Sequence, residues 1–257
     1  MSFSTKVIEP TAPHTHTVVF LHGRGDNIEN FTRALHYSQT SSSQTLFQAF
    51  PSFKWVFPEA PRRKCATSPQ EWNQWFDVWD VRNLSHNEDL QAVGLKEVVP
   101  KIKDILRVQA ATVGWDRVIL AGISMGGATS AHTLLNLNHK LGAFVGFSCR
   151  LPFEGRDIGG LRQALGVYDV NASETKGLQT PILLEHCVDD PLVLVQNGMK
   201  LRDSLRRFGA QVDWKEYPNG GHWFNSPRGM DDVVDFLQRT LALAPANVSM
   251  GDAMDLS

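Results

Sequence analysis

The stretch Arg117-Val118-Ile119-Leu120-Ala121-Gly122-Ile123-Ser124-Met125-Gly126-Gly127 decides the fold. Arg117 to Ala121 is an apolar run of strand length, and Gly127 to Leu137 reads as a helix. Between them, Gly122-Ile123-Ser124-Met125-Gly126 forms a tight turn with a serine at its apex. A serine on such a turn is held in a strained backbone conformation with its hydroxyl exposed. The small residues on either side let strand and helix pass without collision. The amide of Met125, at the helix start, can donate to an oxyanion. The pentapeptide alone recurs by chance and fits a structural turn, so the flanking strand and helix carry the inference that Ser124 is a nucleophile.

Working outward, the same alternation repeats. Thr17 to Leu21 reads as a buried strand running into the glycine loop His22-Gly23-Arg24-Gly25-Asp26, followed by a helical stretch, Ile28 to Tyr37. Lys54 to Phe57, Ala143 to Ser148, Pro181 to His186 and Val212 to Tyr217 complete six expected strands. Helical patterns cover Asn87 to Ala111, with Pro100 expected to kink or break it, Leu194 to Phe208, and Gly229 to Leu243. Pro69 to Leu84 has no clean period and reads as an ordered loop or lid; Gly155 to Gly177 is loop-rich. Apolar strands alternating with helices imply a mostly parallel sheet covered on both faces. The expected organisation is one α/β domain over 1–257, with 1–16 as an N-terminal extension and 244–257 as a flexible tail.

Composition narrows the function. At 257 residues and 42% hydrophobic content the chain can bury a sizeable core. A net charge of −2 gives no electrostatic case for nucleic acid or an anionic membrane. Cys65, Cys149 and Cys187 are widely spaced and odd in number, which points to reduced intracellular thiols. No apolar run reaches the roughly eighteen residues of a membrane span, and Met1 to His16 has no basic-then-apolar leader. A cytoplasmic protein without stable membrane insertion, monomeric or homodimeric, is the expectation.

A serine hydroxyl needs a base to take its proton and a carboxylate to orient that base. In this type of sheet the order is serine, acid, histidine, with the last two on loops after later strands. Asp190 follows the Pro181 to His186 strand, and His222 follows the Val212 to Tyr217 strand in Asn219-Gly220-Gly221-His222. Asp189 is the rival acid, since neighbouring residues on an extended segment point opposite ways. The first glycine loop is the expected source of the second oxyanion donor, the amide of Arg24, beside that of Met125. His186 is a candidate to fix the acid loop by a hydrogen bond. His132 and His139 read as packing or surface residues. His14 and His16 have an alternate spacing better explained by a strand edge than by a metal.

At these residues the chain resembles the acyl-protein thioesterase and carboxylesterase family of α/β-hydrolases, also called the phospholipase/carboxylesterase family. The motifs are Phe20-Leu21-His22-Gly23-Arg24-Gly25-Asp26, Pro58-Glu59-Ala60-Pro61, Trp75-Phe76-Asp77, Gly122 to Ala128, Ser148-Cys149-Arg150-Leu151-Pro152, His186 to Val193 and Gly221-His222. They run in family order over about residues 17 to 240. The resemblance implies Ser124 as nucleophile, His222 as base and Asp190, just before Pro-Leu-Val, as orienting acid. It implies an acyl-enzyme route on an ester or thioester of a small molecule or acylated protein, with no metal or cofactor. Arg24 stands where the family usually has leucine, Met125 where it has glutamine, and Cys187 where it has glycine. Trp72, Trp75, Phe76, Trp79 and Val193 are candidate substrate-binding residues, although tryptophans of a long loop equally serve as anchors. Arg62-Arg63-Lys64 reads as a solvated basic loop rather than an anion site. Two other outcomes stay open: acyl transfer or lyase-type processing of a specialised metabolite, and a non-catalytic ligand-binding relative.

Overall fold

The computed structural model describes residues 3–80, 83–167 and 175–243. In chain order its elements are β1 (Thr5–Ile8), β2 (His16–Leu21), α1 (Ile28–Leu35), α2 (Leu46–Ala49), β3 (Phe53–Pro58), β4 (Arg62–Cys65), β5 (Ser68–Asn73), α3 (Asp89–Val113), β6 (Val118–Ile123), α4 (Met125–Leu135), β7 (Ala143–Phe147), α5 (Ile158–Ala164), β8 (Ile182–Cys187), α6 (Val195–Arg207), β9 (Val212–Tyr217) and α7 (Arg228–Thr240). Seven strands form one sheet in the order β1-β3-β2-β6-β7-β8-β9. Every neighbouring pair is parallel except β1 with β3.

The strands form where the sequence is apolar at consecutive positions, because helices cover both faces of a parallel sheet. In β6, Val118 and Leu120 point into the core shared with α3, α4 and α6. Ile119, Ala121 and Ile123 point into the core shared with α1, α2 and α7. Leu120 has no exposed surface, so cutting it back to alanine should cost about 2–5 kcal/mol. All six expected strands are present, and the crossovers set every loop that follows their carboxyl ends on one side of the sheet.

Four differences from the sequence expectation have physical reasons. Within the N-terminal stretch 1–16, β1 forms an edge strand in register with β3, Thr5 opposite Pro58 and Ile8 opposite Trp55. Its half-exposed alternation is weak in sequence because only one edge is paired. The helix α3 runs unbroken past Pro100, which is exposed. The lost hydrogen bond therefore falls on the wet side, while buried Val98, Val99 and Ile102 hold the helix to the sheet. The expected loop over Pro69 to Leu84 instead begins within β5, which pairs with β4 as an antiparallel hairpin that has a register irregularity at Lys64/Cys65. Finally, α5 emerges from the segment read as loop, its start capped by Asp157 accepting from the Gly160 amide. The tail expected over 244–257 lies outside the described residues.

Candidate active site

Ser124 joins β6 to α4 with φ 56° and ψ −123°, a region that a side chain enters at a cost. Its neighbours hold it there. The Ser124 amide donates to the Phe147 carbonyl at 2.9 Å, and its own carbonyl accepts from the Ala128 amide at 3.0 Å. The start of α4 lies so close to β2 that a Cβ on Gly126 would sit 2.4 Å from the Leu21 carbonyl oxygen and 2.5 Å from that of His22. Only glycine allows that approach. It also brings the β2 loop against the serine: a Cβ on Gly23 would lie 3.5 Å from the Ser124 Cβ and 3.9 Å from its hydroxyl.

The β2 loop is built on His22, whose side chain is fully buried. Its Nδ1–H donates to the Gly23 carbonyl at 2.7 Å, and its Nε2 accepts from the Ala60 amide at 3.0 Å. Burial holds its pKa below the usual histidine value, so the ring is a neutral cross-link between the β2 and β3 loops. The Trp75 indole donates to the His22 carbonyl at 2.8 Å.

Across the sheet ends, Asp190 and His222 meet. His222 Nδ1–H donates to Asp190 Oδ2 at 2.8 Å. The other carboxylate oxygen accepts the Leu192 and Val193 amides at 2.8 and 2.9 Å. The buried His186 places Nε2 2.6 Å from the Val193 carbonyl, to which it donates, and 3.4 Å from Asp190 Oδ2. Burial opposes ionisation of Asp190, but the hydrogen bonds from His186, His222 and the Val193 amide outweigh it. They hold the carboxyl well below the usual carboxylate range. A charged Asp190 fixes the tautomer of His222, leaving Nε2 free to act as a base.

Asp189 takes a different part. Its carboxylate accepts the amides of Gly220 and Gly221, at 3.3 and 2.8 Å, directly before His222. Those glycines carry φ of 133° and 64°, the turn that swings the histidine back over the sheet. The two adjacent acids thus divide the work, one on the imidazole and one on its loop. The His222 loop is tied to the serine turn through aromatic packing. The Phe224 ring meets that of Phe147 edge-on at 4.6 Å, and Phe147 is the residue whose carbonyl holds the Ser124 amide.

The aromatic segment separates into two classes. Trp75 and Phe76 are 0% and 1% exposed and belong to the core, where Gly94 of α3 lies against the Phe76 backbone. They are anchors, not walls of an open pocket. Trp72 and Trp79 are partly exposed. Trp72, with Arg24, Gly25, Asn73 and Arg62, lines a cleft of about 920 Å³ that flanks the β2 loop rather than centring on Ser124. Val193 contributes backbone to the Asp190 turn, with its side chain half-buried. His132 is buried and held neutral, its pKa lowered by burial to about 4, and His139 stacks on Trp115. The sequence reading missed the clip by Asp189, although an acid beside Asp190 and a Gly-Gly pair before His222 are visible as motifs. It also missed the side-chain contacts of Arg24, which join residues about fifty positions apart. Among the described residues no group of three or more His, Cys, Asp or Glu is arranged to hold a metal ion. No helix there is long and apolar enough to cross a membrane.

The sequence model of the Phospholipase/Carboxylesterase family matches residues 4–241. Acyl-protein thioesterase 1 of Gibberella zeae is 28% identical over 91% of this chain and 94% of its own length. Acyl-protein thioesterase 1 of Kluyveromyces lactis is 26% identical over 93% and 98%. Among solved structures, Zea mays acyl-protein thioesterase 2 superposes with a TM-score of 0.72 at 27% identity, covering 93% of this chain and 99% of that one. The Bacillus cereus carboxylesterase, at 12% identity, shares the fold with a TM-score of 0.63 over 93% and 94%.

Proposed function

The chain belongs to the phospholipase/carboxylesterase family of α/β-hydrolases, as a hydrolase of carboxylic esters and thioesters, and from that premise we propose that it works through an acyl-enzyme on Ser124. His222 Nε2 takes the Ser124 proton as the oxygen attacks the substrate carbonyl. The amides of Arg24 and Met125 hold the oxyanion of the tetrahedral intermediate. The imidazolium then gives its proton to the leaving alcohol or thiol as the C–O or C–S bond breaks. A water, deprotonated by the same nitrogen, attacks the acyl-enzyme, and the imidazolium returns the proton to Ser124 Oγ as the acid leaves. Asp190 stays ionised throughout and balances the charge on His222. The names of the relatives, acyl-protein thioesterases, favour a thioester on an acylated protein as the substrate.

One observation carries this reading. A strained serine turn and an Asp190-tethered histidine are bound to one strand end, Phe147, by the Ser124 amide and by Phe224. The test is pre-steady-state hydrolysis of an activated short-chain ester in excess over enzyme, paired with labelling by a fluorophosphonate. Wild-type protein should give a burst of product equal to the enzyme and an adduct on the peptide containing Ser124. Ser124→Ala should lose both. A burst that persists in Ser124→Ala overturns the assignment.

A further inference from the structure

A backbone oxyanion donor makes no demand on its own side chain, yet the side chain of Arg24 is tied on three sides. Its Nε donates to Gln74 Oε1 at 2.8 Å. Its Nη2 lies 3.4 Å from the Cys65 sulfur. Its guanidinium carbon stands 4.6 Å from the ring centre of Trp72, within the range of cation–π attraction. Every one of these partners belongs to the β4–β5 hairpin or the residue just after it.

The next residue repeats the attachment. The Gly25 amide donates to the Asn73 carbonyl at 2.8 Å, and a Cβ on Gly25 would touch the Trp72 indole at 3.4 Å. The anchor is firm, because Gln74 is fully buried. Its Nε2 lies 3.4 Å from both the Lys64 carbonyl and Asp77 Oδ1. On the opposite side the loop has the His22 cross-link, the Trp75 indole on the His22 carbonyl and its approach to Ser124. A leucine at this position could make none of the polar contacts. The guanidinium fork suits them because it donates in plane while its face stacks on an indole.

We infer that the Arg24 side chain is a positioning residue: it fastens the loop that carries the oxyanion-holding amide to the β4–β5 hairpin, so that hairpin and oxyanion hole form one mechanical unit. The inference rests on the acyl-enzyme reading above. Its signature is selective. A donor displaced from the developing oxyanion weakens the transition state and leaves ground-state binding of a small ester almost untouched.

The experiment measures kcat and KM for p-nitrophenyl acetate, and the inhibition constant of a short trifluoromethyl ketone whose adduct carries the oxyanion. Arg24→Leu should lower kcat about tenfold, a fraction of the 10²–10³ lost when a donor is removed outright. KM should stay within about twofold, and the ketone should bind about tenfold more weakly. Arg24→Lys, which keeps a cation over Trp72 and one donor for Gln74, should recover part of both losses. Trp72→Ala is the second probe, since it alters a partly exposed side chain, with the fold checked by circular dichroism. It should move kcat and ketone affinity in the same direction by about threefold. If Arg24→Leu and Trp72→Ala keep wild-type kcat and ketone affinity, the inference is overturned. It also fails if they raise KM with kcat unchanged, which would mark Arg24 as a substrate contact. Either failure is separable from that of the reaction scheme, which Ser124→Ala tests independently.

Discussion

The two halves of the candidate site are held by different means. On the acid–base side, the loops after β8 and β9 are pinned over short distances in space by carboxylates. Asp190 takes two loop amides and an imidazole, and Asp189 takes the Gly220 and Gly221 amides. On the oxyanion side, the loop after β2 is held by a neutral histidine and by a hairpin some fifty residues away in sequence. Charge-assisted, closely spaced hydrogen bonds make the first half stiff and sensitive to pH. A neutral imidazole and a guanidinium that keeps its charge make the second less sensitive to pH and dependent on the hairpin. The arrangement suits the proposed reaction, in which a proton shuttle needs a defined charge state while oxyanion donors need only geometry.

The comparison breaks most visibly at Asp190. Asp190→Asn should lower kcat about 10⁴-fold by presenting the wrong histidine tautomer, with the fold retained by circular dichroism; a loss under tenfold would move the acid role elsewhere. The same variant tests the charge. Because the native carboxyl ionises below its ordinary value of 3.8, its contribution to stability is fully present above that value. It is lost as pH falls through the lower native value. Urea melts of wild type and Asp190→Asn should therefore differ at pH 7 and converge in strong acid.

The next largest effect is expected where the halves join. Gly126→Ala puts a methyl into the β2 backbone and should cost about 3 kcal/mol or more, read as a fall in the denaturation midpoint. A neutral result would mean that α4 can slide away from β2 without consequence.

Beneath the acid loop, Glu185 is 3% exposed and lies beside the Tyr217 hydroxyl. Burial raises its pKa well above the ordinary 4.5, so the native state keeps its proton to higher pH than the unfolded chain does. From pH 4.5 upward the unfolded chain releases a proton that the native state keeps, and stability drops by up to about 1.4 kcal/mol per pH unit. Glu185→Gln should flatten that slope. An unchanged pH dependence of the melting temperature would place the titration on another group. The smallest change separates the two neighbouring acids. Asp189→Ala should reduce kcat about threefold, the scale of one exposed hydrogen bond, while Asp189→Asn, still an acceptor, should stay near wild type. Equal losses in both variants would point to charge rather than to the loop clip.

The acid–base half was also the more legible in sequence, for a physical reason. Parallel strands buried on both faces are largely apolar, so β2, β6, β7 and β8 stand out, while the edge strand β9 shows only by its alternation; the residues just past their ends are the ones that can converge. That logic points to Ser124 and His222 as candidates by position, while the choice of Asp190 over Asp189 also draws on the resemblance at Pro-Leu-Val. It does not reach the hairpin, because Arg62-Arg63-Lys64 and the prolines about it carry neither alternation nor apolar runs. A tryptophan looks alike whether it is sealed in, as Trp75, or partly open, as Trp72. Pro100 misled because its effect depends on which side of the helix faces water, which the residue itself does not state. The Arg24 contacts needed the fold, since Gln74 and Trp72 approach only once the hairpin lies beside the glycine loop.

One margin of the sheet has a further meaning. The strand β9 pairs only with β8 among the described strands, leaving a ladder of amides and carbonyls on its far flank. It carries Asp213, Lys215 and Glu216, with Lys215 bridged to Asp232 at 2.7 Å. An extended peptide trying to add itself there would have to desolvate alternating ions, so this margin discourages the strand-by-strand growth from which fibrils start.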